Sequence, residues 1–587
     1  MWHLPPPGTL RLRRHGGADL IGVVMNTLTR PKGAGHRPAL ALVAVIAGLL
    51  TTPAAVLANA ATNEQLGAYL AARIAGTRND LPNAARYYEQ VLAVDPQNAE
   101  LLATAQLFML ADGQVDKAVT FAQRLLVRDA NNATANLLNA IGAAKKGDYG
   151  AAATAMQKVP NTGINRLVAP VVEAWALAGQ NRADEALTVL NKIAGNATYE
   201  PFFNYHAALI NTFLGRVEKA EEAFTKTLQG GTGVRQMQAY ATFLAQAGRT
   251  QDAVRTLRSY LDVQSGDEPV AAALAGLQAG RKPDPFIADA RAGMAEMFYG
   301  VAASLTQENA TAQARNYARM AIYLRPELDG ARVVLATGME REELWAEANE
   351  VLAVISAASP YSWAARNRIA TNLGRLNRTD EAVTMLTRMA DERKAAFDVA
   401  VNLGDILRQN DRYAEAAAAY DRALQRKGTL TADDWVLLYT RGTVLERSGQ
   451  WDRAEADFLK ALELQPEQPY VLNYLGYSWI EQGKNVEQAT QMIQRAVAQQ
   501  PTAGFIVDSL GWGFYKLGNY EEATRTLERA VQLTPGDSTI NDHLGDAYWK
   551  VGRKREARFQ WQRAIDLGPD AGMLPGLQRK LAQGLDG

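Results

Sequence analysis

Residues 469–570 hold three copies of one unit about 34 residues long. Leu475 with Gly476, Leu510 with Gly511 and Leu544 with Gly545 mark the same place in each copy. An Ala follows at Ala489, Ala523 and Ala557, and a second at Ala496, Ala530 and Ala564. Pro501, Pro535 and Pro569 close the copies. A period of this length leaves few solutions. Each unit is two antiparallel helices, A then B, with small residues where the helices approach and Pro where helix B cannot continue. One such unit cannot bury its apolar face alone, so it stacks on its neighbours.

The order and spacing resemble a tetratricopeptide repeat, most clearly at Gly511, Gly518, Tyr520, Ala523, Leu527, Ala530 and Pro535. The fold class expected is all-α, a superhelical solenoid of about fourteen helix-turn-helix repeats. The Gly, Ala and Pro positions serve packing and say nothing about the task.

Residues 1–60 read as a targeting segment. Basic residues 30–37 precede an apolar run over 39–50, and Ala58-Asn59-Ala60 offers a small-residue cleavage site, the order of a secretory signal. Met25 is a candidate start. The run is shorter than the roughly 20 residues of a membrane span, so cleavage is expected, with an uncleaved anchor as the alternative. The sequence contains no Cys, which excludes disulfides, a thiol nucleophile and a lipobox Cys. Beyond residue 60 the chain carries 56 Lys and Arg against 61 Asp and Glu, without the basic footprint of a nucleic-acid binder.

Repeats are weak over 61–265, an N-terminal arm marked by Ala84 and Tyr88, Gly113 and Ala118, Gly147 and Ala152, Gly179 and Ala186, Gly215 and Ala220, then Gly248 and Ala253. Gly266, Pro269, Gly280, Pro283 and Pro285 cluster in 266–286, which reads as an irregular linker between arms or as one long loop inside a repeat. A C-terminal arm over 287–571 follows, then a capping helix and tail over 572–587.

Catalytic chemistry has little to work with. Of five His, only His206 and His543 lie beyond the targeting segment. No metalloprotease, nucleophile-elbow or phosphate-loop motif occurs. His206 reads as a packed or surface histidine. Acidic pairs such as Glu521 and Glu522 open B helices, where the helix dipole favours them. No enzyme, cofactor or metal is expected.

In such repeats helix-A positions 2, 5, 9 and 12 face the groove. The last three units place Tyr470, Asn473, Tyr477 and Ile480 there, then Phe505, Asp508, Trp512 and Tyr515, then Thr539, Asp542, Asp546 and Trp549. The partner-binding candidates are Tyr470, Asn473, Tyr477, Phe505, Asp508, Trp512, Tyr515, Asp542, Asp546 and Trp549. Rings offer contact area at low entropic cost, and Asn or Asp can hydrogen-bond a peptide backbone. The alternative is that these rings are core, as Tyr548 and Trp561 are expected to be. Groove positions that are aromatic or acidic do not suit a clamp for a chaperone's terminal carboxylate.

The runs Asn473-Tyr474-Leu475-Gly476-Tyr477, Asp508-Ser509-Leu510-Gly511-Trp512 and residues 542–549 also resemble envelope repeat proteins of Gram-negative bacteria, typified by the adaptor of a carboxy-terminal processing protease. The resemblance covers roughly residues 397–571. It implies a periplasmic, non-catalytic scaffold whose protein partners include that protease and its substrates, peptidoglycan hydrolases. The alternative is a scaffold of a secretion or polysaccharide-export system, binding glycan or export subunits. Neither implies nucleic acid, metal, or a membrane span after signal cleavage.

Overall fold

The computed structural model describes residues 63–195, 199–229 and 233–585. The expected targeting segment lies outside them. The described residues form 30 α-helices with no strand. In chain order these are fourteen pairs of A and B helices with two single helices, Glu268–Gln278 and Leu574–Gln583. The repeat number expected from the period is therefore present. Among the described residues no helix is long and apolar enough to cross a membrane.

Local chemistry explains the helix ends. Asn98, Asn132, Asp148 and Asp537 cap helices by accepting hydrogen bonds from backbone N–H groups. Turns between A and B need a left-handed residue, supplied by Gly at Gly113, Gly449, Gly518 and Gly552, where φ lies between 76° and 94°. The turn after Glu481 is one residue longer and holds two left-handed residues, Gly483 at φ 65° and Asn485 at φ 48°.

The small-residue positions are where helices touch. A Cβ on Gly404, Gly442, Gly511 or Gly545 would stand 2.5–2.6 Å from Tyr420, Phe458, Leu527 or Trp561 of the same unit's helix B. Each large residue follows its Gly by sixteen positions, so one spacing builds the contact in these four units; in the unit with the longer turn Gly476 meets Ile493, seventeen positions on.

The chain divides into two compact units between Asn377 and Arg378. Residues 266–286 lie inside the first of these units and contain the helix Glu268–Gln278. The reason is packing after that segment. The helix Ala290–Gln307 turns back against the A helices Asn165–Gly179 and Glu200–Phe213, and Thr311–Leu324 against Ala99–Asp112. Fourteen of the eighteen residues of Ala290–Gln307 are buried, as befits a helix apolar on every side.

Specific contacts anchor this pair. The ring of Trp175 lies against Gly293, and its Nε1–H donates to His206 Nδ1 at 3.1 Å. Arg235 forks onto Glu296 (3.0 and 2.5 Å), and Tyr205 donates to the same carboxylate at 3.0 Å. Arg315 donates to Asn79, and Lys145 to the Tyr323 carbonyl. One core cluster runs from Ala72 to Ala365 and includes both inserted helices. The A helices of the first unit thus already hold an occupant from their own chain.

Candidate functional site

The second unit has no such inserted pair. Its last A helices, Pro469–Glu481, Gly504–Lys516 and Ser538–Lys550, neighbour one another along the stack, and the capping helix follows. All ten sequence candidates sit here. At i, i+3 and i+7, Tyr470, Asn473 and Tyr477 share one helix face. Phe505, Asp508 and Trp512 repeat that spacing on the next helix.

The structure brings most of them together as a seam between adjacent A helices. Tyr470 stacks on Phe505 at 6.4 Å with 11° between planes. Trp512 stacks on Tyr515 (4.7 Å) and on His543 (4.0 Å), with Lys516 4.9 Å from its ring. Its indole N–H donates to Glu481 at 2.6 Å. Asp508 is wholly buried, and its two oxygens lie 3.0 and 3.1 Å from His543 Nδ1. Burial pulls the His543 ring's pKa down, but the charge and hydrogen bond of Asp508 more than offset this, so it lies above 6.5.

The final unit is closed by the chain itself. Lys580 of the capping helix donates to Asp542 at 2.7 and 2.9 Å and to Asp546 at 2.8 Å. Asp546 also accepts from Trp561 Nε1 at 2.9 Å. Burial, then the neighbouring Asp542, push the Asp546 carboxyl up. Trp549 lies against Trp561 and Gly584, with the Lys554 ammonium 3.6 Å from its ring.

Tyr470, Tyr477, Phe505, Tyr515 and Asp542 are half-buried. Asn473, Asp508, Trp512, Asp546 and Trp549 are buried. Tyr548 and Trp561 are core, as expected. His206 is a packed histidine, its pKa lowered to about 4 by burial. One candidate stands apart. Asn473 is 7% exposed, and its Oδ1 has no hydrogen-bond partner among the described residues.

Sequence reading missed His543, Lys580 and Glu481 as partners of the candidates. A signal existed: one repeat after Asp508 comes His543, and 38 residues after Asp542 comes Lys580. Adjacent A helices place such acid–cation pairs side by side. No group of three His, Cys, Asp or Glu suited to a metal ion occurs among the described residues.

A family model described as tetratricopeptide repeat matches residues 69–135, 367–430, 439–504 and 509–572. The repeats within these four stretches are tetratricopeptide repeats. The TPR repeat-containing protein PA4667 of Pseudomonas aeruginosa is 28% identical over 145 residues, 24% of this chain and 23% of its own length. A tetratricopeptide repeat protein from Parabacteroides merdae is 15% identical, with 43% of this chain and 99% of that one covered at a TM-score of 0.36. The APC/C hetero-tetramer Cut9-Hcn1 gives 13% identity, 89% and 97% coverage, and a TM-score of 0.35. Tetratricopeptide repeats bind protein partners, and a protein-binding scaffold is the function these repeats support.

Proposed function

We propose that this chain is an exported, non-catalytic scaffold that holds a protein partner on the A-helix seam of its last repeats. The observation that carries the reading is Asn473. An unsatisfied buried acceptor costs about 1–3 kcal/mol; the oxygen is shut off from solvent, so a partner's N–H recovers that cost by displacing a side chain that covers it. Tyr470, Tyr477 and Phe505, half-buried around it, supply ring surface for the same partner. In the first unit the corresponding surface is covered by the inserted helices, which directs recognition to the second.

The finer reading places the scaffold in the periplasm, presenting peptidoglycan hydrolases to a processing protease. Its support is the sequence resemblance over residues 397–571 and the secretory order of residues 30–60. The glycan alternative draws less support. Trp512 is only 9% exposed, with two rings stacked on it, so little of its face is left for a sugar.

The test is capture from Gram-negative envelope extract by tagged wild type, Asn473→Leu and Tyr470→Ala. Recovery of a processing protease or a peptidoglycan hydrolase by wild type, reduced in both variants, supports the proposal. A reconstituted degradation assay then asks whether the chain speeds hydrolase turnover. Equal recovery by all three proteins removes this seam from the account. Recovery of export subunits or glycan instead favours the alternative.

A further inference from the structure

The last outer helix, Lys554–Asp566, carries a feature that partner capture on the A helices does not use. Ala557, Trp561 and Ala564 bury its inner face. On the outer face Arg555, Phe559 and Arg563 follow at i, i+4 and i+8, a single row. All three are exposed, and Phe559 is 68% exposed, a whole ring set out in water between two guanidinium groups. Arg558 lies next to the row and donates to the Leu581 carbonyl of the capping helix, which itself exposes Arg579.

The local charge is out of keeping with the rest of the chain. Residues 550–580 carry eight Lys and Arg against three Asp and Glu, while the chain beyond residue 60 is mildly acidic. Elsewhere surface arginines are commonly answered one turn away, as Arg412 is by Glu415 and Arg378 by Glu381. Among the described residues no carboxylate forms an ion pair with Arg558, Arg563 or Arg579, and Arg555 meets only the through-space charge of its neighbour Glu556.

We propose that this row is a docking surface for an anionic phospholipid bilayer. A projecting aromatic ring flanked by cations suits the headgroup boundary, where the ring enters the acyl edge and the guanidinium groups meet phosphates. The backbone of this helix is already hydrogen-bonded within itself, so an extended acidic polypeptide would find side-chain charge but no backbone partner. A planar surface of diffuse negative charge needs none. The orientation follows: the end of the second unit that carries the row faces the membrane.

The test is co-sedimentation of the full chain with vesicles of phosphatidylglycerol and phosphatidylcholine, against pure phosphatidylcholine. The N-terminal segment is common to every variant, so differences report the row. Wild type is expected to bind the anionic vesicles and to release in high salt. Arg555→Gln with Arg563→Gln should lower partitioning about fivefold per arginine. Phe559→Ser should lower it severalfold at unchanged charge. Arg166→Gln with Arg422→Gln, exposed arginines elsewhere, should leave it unchanged. The proposal fails if the control pair loses as much as the row, or if Phe559→Ser has no effect. It also fails if the row retains the chain on immobilised polyglutamate while vesicles do not bind; the surface would then be one for acidic polypeptides.

Discussion

Glu296→Gln tests whether the first unit's inserted helix is held as the structure describes. The Glu296 side chain is 1% exposed and that of Arg235 15%. Burial alone would raise the Glu296 carboxyl, but the Arg235 charge and fork outweigh it and hold it below the usual 4.5. Replacing Glu296 leaves a guanidinium buried without its counter-charge. Removing one partner of a buried pair costs about 3–5 kcal/mol. At about 1.4 kcal/mol per tenfold, protection of residues 290–307 against amide exchange should fall by about two to three and a half orders of magnitude. The assay is hydrogen exchange read by mass spectrometry, with peptides from 378–585 as the internal reference. Because the folded Glu296 pKa is depressed, its contribution is present above 4.5 and is lost as pH falls through the depressed value. The gap between wild type and variant should therefore close in acid. Arg235→Met with Glu296→Met should recover part of the protection, since an apolar pair of similar volume has no charge to desolvate, while the buried Tyr205 hydroxyl loses its acceptor. The reasoning is refuted if Glu296→Gln leaves residues 290–307 as protected as before, or if the loss is equal in the second unit.

Lys580→Met should cost about 1.5–3 kcal/mol in urea unfolding at pH 7, because two carboxylates lose a charged donor. The loss should shrink in acid as Asp546, whose pKa is already raised, takes up a proton. In the wild type the raised Lys580 pKa makes its contribution complete below 10.5 and lost as pH climbs past the raised value, so the stability gap between wild type and Lys580→Met should close in strong alkali. Gly545→Val puts carbon into the Trp561 indole and should destabilise by about 1–3 kcal/mol; near-ultraviolet circular dichroism should show the displaced ring. Asn473→Leu should stabilise the chain by about 1 kcal/mol while weakening capture, because it removes an unpaired acceptor from the interior. A loss of stability would mean that the acceptor is satisfied in solution.

The repeat architecture was legible because its signals are local. Gly at a left-handed turn, Asn at a cap and a small residue opposite a large one sixteen positions later each act within one unit. That is why the helix number could be read from the spacing alone, and why Trp561 and Tyr548 could be assigned to the core. The candidate site was legible only in part. Its position on the last A helices came from the repeat register, but whether Trp512 or Asp508 faces water depends on the next helix. His543, one repeat further on, closes over Trp512 and Asp508, as Lys580 of the capping helix does over Asp542 and Asp546, and a register taken one unit at a time does not include them.

Sequence by itself determined the helix pairs, their order and their turns, since each is decided by contacts within about 34 residues. Tertiary structure decided where the chain divides and which helix faces remain for a partner. The Gly and Pro residues of 266–286 look like a break because they end helices. A boundary, however, is set by what packs across it. Helices 290–324 return to the A helices of residues 99–246 through Trp175, Glu296 and Arg235, contacts between residues far apart in sequence that no local pattern encodes.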